Sequence, residues 1–201
     1  MQLKAQNLSF RYNDKSPWIL KDLSLEVKSG ERVGIIAPSG YGKSTLAKLL
    51  SGYLEPREGK ILLDDKPLPS RGFCPVQLIS QHPELAVNPR WRMGKILNEA
   101  RQVPKELMDR MGIEEAWLSR WSAELSGGEL QRFCIARVLV PETKFLICDE
   151  ITTMLDVITQ AQIWQVLLER AEKNNLGLIV ISHNPALAQK VCTRIIRLDE
   201  I

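Results

Sequence analysis

Three short stretches carry residue types that could act on a phosphate ester. "GIIAPSGYGKSTL", residues 34–46, falls one residue short of the phosphate-loop pattern Gly-x4-Gly-Lys-Ser/Thr, because Ala37 stands where the first glycine is expected. A strand-like run, a Gly-containing turn and a helix form the context such a loop needs. Backbone N–H groups of residues 40–45 at the helix N-terminus would face a β-phosphate, where the helix dipole favours negative charge. Lys43 would reach the β and γ oxygens, and the Ser44 hydroxyl would bind Mg2+. Alanine at 37 costs about 1 kcal/mol if that position is left-handed and little otherwise. Gly40 and Gly42, nearest the phosphates, are intact. The plain alternative is an ordinary Gly-rich turn before a helix.

The second stretch, "FLICDE", ends an apolar run on Asp149 and Glu150. Carboxylates at the mouth of a buried strand are costly unless they meet a cation or strong donors. Asp149 would hold Mg2+ through its water shell, and Glu150 would polarise an attacking water. Taken alone, the pattern is also that of a strand running into a solvated turn. The third, "ELSGGELQR" at 124–132, pairs Ser126 with Glu129 as a capping box, while Gly127 and Gly128 leave N–H groups bare at a helix start. A plain helix cap accounts for the serine and glutamate but not for the paired glycines.

These groups need an α/β frame. "LKAQNLSFRY" and "WILKDLSLEV" alternate with period two and predict antiparallel strands; "SGERVGIIA" predicts a turn and a buried strand. "GKSTLAKLLSGY" predicts a helix ending near Gly52, and "GKILLDDKPL" a hairpin turning at Asp64-Asp65, since aspartate tolerates positive φ. "NEARQV" and "PKELMDRMGI" read as short amphipathic helical pieces between Asn88 and Gly128. "KFLICDE" and "LGLIVISH" are nearly all apolar, which suits parallel strands covered on both faces, with "GELQRFCIARVLV" and "ITQAQIWQVLLERAEKN" as the helices between. The expectation is an α/β phosphate-loop core with a mainly parallel sheet, an N-terminal antiparallel β layer and a helical insert.

At 201 residues and 44% hydrophobic, the chain fits one domain with a full core. A net charge of +3, with Lys and Arg spread along the chain and no run of about five or six, does not announce nucleic acid. Cys74, Cys134, Cys148 and Cys192 form neither a CxxC pair nor a zinc spacing, which fits a reduced interior. Met1 leads into "QLKAQNLSF" without a secretory signal, and no apolar run approaches the roughly 18 residues needed to span a bilayer. Any membrane link is therefore expected through a partner.

In these stretches the sequence resembles the ATP-binding cassette (ABC) ATPases, whose signature LSGGQ reads "LSGGE" here, and the resemblance covers nearly the whole chain in the family's order. It implies that ATP and Mg2+ are bound, with Ser39, Gly40, Tyr41, Gly42, Lys43, Ser44 and Thr45 on the nucleotide. Tyr12 in "FRYND" matches the aromatic that stacks on adenine, though alone it reads as a strand-packing tyrosine. Gln81 in "LISQHP" matches the glutamine that contacts Mg2+ and the transmembrane partner. Ser126, Gly127, Gly128 and Glu129 would meet the nucleotide of an opposing chain, and Asp156, closing "TMLD", would cross the dimer interface. His183 in "VISHN" matches the switch histidine that touches the γ-phosphate; alone it reads as a surface histidine. The metal set is then Ser44, Gln81 and Asp149, and the catalytic set Glu150, His183 and Lys43.

"QLISQHPELAVNPR" resembles the same region in importers of peptides, nickel and metal chelates, where "NPR" is characteristic and two different ATPase chains often pair. The resemblance implies one nucleotide-binding domain over 1–201, with 1–81 and 140–201 as core and 82–139 as helical subdomain including the signature helix. It implies transmembrane permease subunits, a second ATPase chain and an extracellular substrate-binding protein as partners, no nucleic acid, and a peripheral place on the cytoplasmic face of the membrane. Against the family pattern stand Ala37, Glu129 for the usual glutamine, "EIT" for Glu-Pro-Thr, Asn184 where aspartate is usual, and the expected strand "TRIIRLDEI" running to Ile201 where many peptide-importer ATPases carry a long extension. A DNA-repair or chromosome ATPase would need a long coiled coil between phosphate loop and signature, and a translation-associated protein two cassettes. A catalytically silent ATP-binding subunit of a heteromeric pair is the remaining alternative, opposed by Glu150 and His183.

Overall fold

The computed structural model describes residues 1–153 and 155–200; Met154, within "TMLD", and the terminal Ile201 lie outside them. Two sheets build the molecule. The first is antiparallel, in the order β2–β1–β4–β5, from β1 (Gln2–Phe10), β2 (Leu20–Lys28), β4 (Glu58–Leu63) and β5 (Lys66–Pro67). Its strands bury alternate residues, as in Leu23, Leu25 and Val27 of β2, because one face packs inward and the other meets water. Asp64 and Asp65 turn the β4–β5 hairpin with φ of 49° and 61°, as their residue type anticipates.

The second sheet is parallel, in the order β6–β7–β8–β3–β9, from β6 (Val76–Ile79), β7 (Phe145–Asp149), β8 (Gly177–Ile181), β3 (Arg32–Ile36) and β9 (Arg194–Arg197). Every residue of β7 and β8 is buried, and alternation divides them between two cores. Phe145 and Ile147 face the antiparallel sheet and α1 (Lys43–Leu50). Leu146 and Cys148 face α4 (Gly127–Ala136), α5 (Val157–Asn174) and the insert. Continuously apolar strands result from this covering on both sides.

The insert is less helical than its sequence suggests. It holds α2 (Met93–Leu97), α3 (Lys105–Arg110) and short 3-10 turns. "NEARQV" is not a helix. Asn98 ends α2, its amide donating to Gly94 O at 2.9 Å and its Oδ1 accepting from Val103 N at 2.8 Å, and Pro104 keeps the approach to α3 extended. The sequence reading also passed over β6 and α6 (Pro185–Val191). No described helix is long and apolar enough to cross a membrane.

Strand order brings three loops together. β8 lies between β7 and β3, so the segments after β3, β7 and β8 leave one edge of the sheet side by side. Asp149 pairs with Ile181 across the ladder, Glu150 N donates to Ile181 O at 3.1 Å, and Ser182 N to Ile35 O at 3.3 Å. The carboxyl ends of parallel strands are where such sheets form clefts.

Candidate nucleotide site

The loop after β3 resolves the Ala37 question in backbone terms. Left-handed φ falls on Gly40 (86°) and Gly42 (78°), and Ala37 is not among the positive-φ residues. Its methyl is 4% exposed, part of the core under the antiparallel sheet. Gly42 caps α1 with no side-chain hydrogen bond, and no acid lies in the first turn, so the helix start offers N–H donors to an anion. A Cβ at Gly42 would lie 2.7 Å from Ile19 Cγ2, a second reason for glycine there. Lys43 is buried, its Nζ donating to Ala37 O at 2.8 Å and Pro38 O at 2.9 Å. Two of its three donors thus fix the ammonium at the loop, and the third has no partner among the described residues. Ser39, Gly40, Tyr41 and Ser44 are exposed, while Thr45 is buried.

Asp149 ends β7 only 5% exposed, and its Oδ1 has no hydrogen-bond partner among the described residues. Burial pushes its carboxyl above the ordinary range; the Ser44 hydroxyl opposes this, Glu150 adds to it, and Lys43 opposes it. An orphaned, buried carboxylate oxygen beside a serine hydroxyl suits a hard divalent cation, so these residues fit Mg2+. Glu150 follows in the left-handed region at φ 51°, a strained setting for a non-glycine residue. Its carbonyl accepts from Thr153 Oγ1 at 3.1 Å, and its Oε1 lies 3.1 Å from His183 Nδ1. A cavity of about 220 Å3 adjoins the pair, walled by Thr152, Gln160 and Trp164 among others. Thr152 Oγ1 accepts from Gln160 Nε2 at 2.7 Å and Trp164 Nε1 at 3.3 Å, which ties the turn after Glu150 to α5.

Gln81 follows β6 and lines a small cavity together with Glu150, Gly127 and Gln131. Gln131, on α4, donates to Ser80 O at 3.3 Å, so the glutamine loop is attached to the signature helix. The capping box is present: Glu129 N donates to Ser126 Oγ at 3.3 Å, and Ser126 N to Glu129 Oε2 at 2.6 Å. The Ser126 backbone N–H and, after it, the Ser126 hydroxyl hold the Glu129 carboxyl below the usual range. The two glycines differ. A Cβ at Gly128 would meet Leu155 Cδ2 at 2.8 Å, whereas at Gly127 nothing lies within 4 Å. Packing on Leu155 accounts for Gly128, whereas among the described residues nothing fills the space at Gly127.

Asp156 caps α5, its Oδ1 accepting from Ile158 N and Thr159 N, each at 3.0 Å. Asn184 caps α6 in the same way, through Ala186 N at 3.0 Å and Leu187 N at 3.2 Å, so asparagine suffices there. Tyr12 sits just past β1, edge-on to Phe10 with ring centroids 5.1 Å apart, and its Oη is 3.4 Å from Thr45 Oγ1. Packing on Phe10 does not bury it: Tyr12 remains 55% exposed beside the phosphate loop. The fold thus gathers Lys43, Ser44, Asp149, Glu150, His183 and Gln81 at one end of the parallel sheet.

The family model described as "ABC transporter" matches residues 20–153. The nickel import system ATP-binding protein NikE of Staphylococcus aureus is 35% identical over 98% of this chain and 87% of its own length. Among solved structures, the ATP binding subunit of an ABC transporter superposes with a TM-score of 0.82 at 22% identity, covering 98% of this chain and 85% of its own. The ATP-binding cassette MJ0796, a dimer in a post-hydrolysis state bound to ADP and Pi, gives 0.80 at 23% identity, covering 97% and 93%. These two share the fold: the antiparallel layer on a parallel sheet. With the family model spanning most of the sequence and a relative matching it nearly end to end, the chain belongs to the ABC transporter family and is one of its ATPases.

Proposed function

We propose that this chain is the ATP-hydrolysing subunit of a membrane importer, acting on nickel, a metal chelate or a peptide. The observation that carries the catalytic part is the Asp149–Glu150–His183 arrangement beside the Lys43 loop: an orphaned metal-type oxygen, a strained glutamate and a histidine 3.1 Å from it. NikE's name, with 35% identity, supports nickel as the first substrate to try.

Tyr12 stacks on the adenine, and the N–H groups from Gly40 to Thr45, with Ser39 at the loop's mouth, hold the phosphates. Lys43 places its free donor on the β and γ oxygens. Ser44, Asp149 and Gln81 would hold Mg2+, which supplies positive charge against the phosphate oxygens. Glu150 orients the attacking water and takes up its proton, and His183 donates to the γ-phosphate. Phosphoryl transfer asks mainly for such positioning and charge stabilisation. Ser126, Gly127, Gly128 and Glu129 face the nucleotide of a second ATPase chain, and Asp156 crosses between the two. The chain forms one nucleotide-binding domain with residues 82–139 as its helical subdomain. It lies on the cytoplasmic face against permease subunits, which it meets through Gln81 and "HPELAVNPR", with an extracellular substrate-binding protein completing the system.

The test is ATP turnover by the purified chain, alone and reconstituted with its permease subunits in vesicles, with uptake of Ni2+ or a peptide measured alongside. Turnover with uptake of neither would remove the import reading and leave the ATPase.

A further inference from the structure

β1 ends at Phe10, whose carbonyl takes the last ladder bond, from Ile19 N at 2.9 Å. The next two carbonyls, of Arg11 and Tyr12, lie beyond the sheet. Arg57 meets both: Nε donates to Arg11 O and Nη2 to Tyr12 O, each at 3.4 Å. Its place is set by the register. Arg57 N donates to Ser9 O at 3.0 Å, and Gly59, at φ 81°, passes so close to β1 that a Cβ there would lie 2.3 Å from Gln6 O. Only glycine allows β4 this near, and the close approach puts the guanidinium under the Arg11–Tyr12 peptide. Asp14 Oδ1 lies 3.9 Å from Arg57 Nη1 and 3.8 Å from Arg11 Nη2, and Arg11 in turn covers the Trp18 ring at 4.6 Å.

We propose that Arg57 is a positioning residue for nucleotide binding: its planar fork fixes the backbone that carries Tyr12, and so sets how well the tyrosine ring meets the base. The proposal rests on the reading that Tyr12 is the base contact. Tyr12 is then held at both ends, at its carbonyl by Arg57 and at its hydroxyl by Thr45 Oγ1. A guanidinium can bond two adjacent carbonyls in one plane; an ammonium engages as a point donor and cannot reproduce the fork. Arg57 itself points at the backbone, so its effect reaches the base only through Tyr12 and leaves the phosphates alone.

The experiment compares ATP with inorganic tripolyphosphate, which has no base, on the full chain carrying Arg57→Met, Arg57→Lys, Tyr12→Ala and the Tyr12→Ala/Arg57→Met double change. Arg57→Met is expected to weaken ATP binding about three- to ten-fold, the scale of one aromatic contact, with the loss in turnover falling on KM. Tripolyphosphate binding is expected to stay level, Arg57→Lys to recover part of the loss, and the double variant to bind ATP as Tyr12→Ala does. Equal weakening for both ligands, or additive losses in the double variant, overturns the proposal. So does unchanged ATP binding in Arg57→Met while Tyr12→Ala weakens it. If Tyr12→Ala itself leaves ATP binding unchanged, both the base-contact reading and the proposal fall. Thermal melts of the four variants separate any unfolding from these outcomes.

Discussion

Glu150 Oε1 and His183 Nδ1 stand 3.1 Å apart, joining the residue after β7 to the loop after β8. The two strands are direct neighbours in the parallel sheet, and Glu150 N bonds to the last residue of β8. The left-handed turn at Glu150 directs its backbone toward β8 and its carbonyl toward Thr153. Strain at this position is retained because the surrounding bonds over-determine it.

Glu150→Gln keeps the side chain's shape and removes its charge. Turnover is expected to fall roughly 10²–10⁴-fold while ATP binding survives, because Lys43, Ser44 and Tyr12 are untouched. With one negative charge fewer beside the γ-phosphate, the ATP-filled pair of chains is expected to persist. Phosphate release and light scattering with ATP and Mg2+ read both effects. Unchanged hydrolysis removes Glu150 from the mechanism.

Ala37→Gly tests the irregular loop. The methyl is buried and the backbone is not left-handed, so the family's glycine brings no conformational relief. Stability is expected to drop by about 1–2 kcal/mol, from lost burial and a more flexible unfolded chain, with ATP affinity changed by no more than a few-fold. Thermal melting and ATP titration check the two halves. Large gains in affinity would mean that the methyl obstructs the phosphates.

Asp149→Asn separates binding from folding. The Asp149 carboxyl is pushed above its ordinary value of 3.8, chiefly by burial. Between 3.8 and the raised folded value the native chain binds more protons than the unfolded one, so stability from this group falls as pH rises through that window. The variant is therefore expected to melt higher than the native chain at pH 7 without nucleotide, by roughly 1 kcal/mol or about 2–4 °C. The gap should close as pH drops. Added ATP with Mg2+ should stabilise the native chain more than the variant. A lower melting temperature for Asp149→Asn at pH 7 would contradict this.

Glu129→Gln addresses the altered signature. The carboxylate already accepts the Ser126 N–H at the start of α4, where it offsets the positive helix end. Glutamine's amide oxygen can keep that bond without the charge. ATP-driven pairing with a second chain is expected at several-fold lower ATP concentration, measured by light scattering or size exclusion. No change would show that the charge does not meet the opposing nucleotide.

The sequence by itself determined the class of fold and picked out the candidate site residues, because both are read from local order. Period-two alternation made the antiparallel strands legible, continuous apolar runs the buried parallel ones, and the Asp64-Asp65 pair its turn. Paired glycines beside a lysine, or between a serine and a glutamate, stand close enough in sequence to be read together. β6, α6 and the ending of α2 at Asn98 were not legible; their short lengths leave too few residues to show a period. What only the tertiary structure decided are relationships across strands. Asp149 Oδ1 is buried without a partner among the described residues because it lies on a fully covered strand, and Glu150 meets His183 because β7 and β8 are adjacent. Ala37 meets no left-handed backbone, because the positive φ falls on Gly40 and Gly42 instead. Arg57 reaches the Tyr12 carbonyl, 45 positions away in the chain, only because Gly59 lets two backbones nearly touch. Sequence spacing records none of these contacts, since each is made by sheet order and close approach rather than by neighbours along the chain.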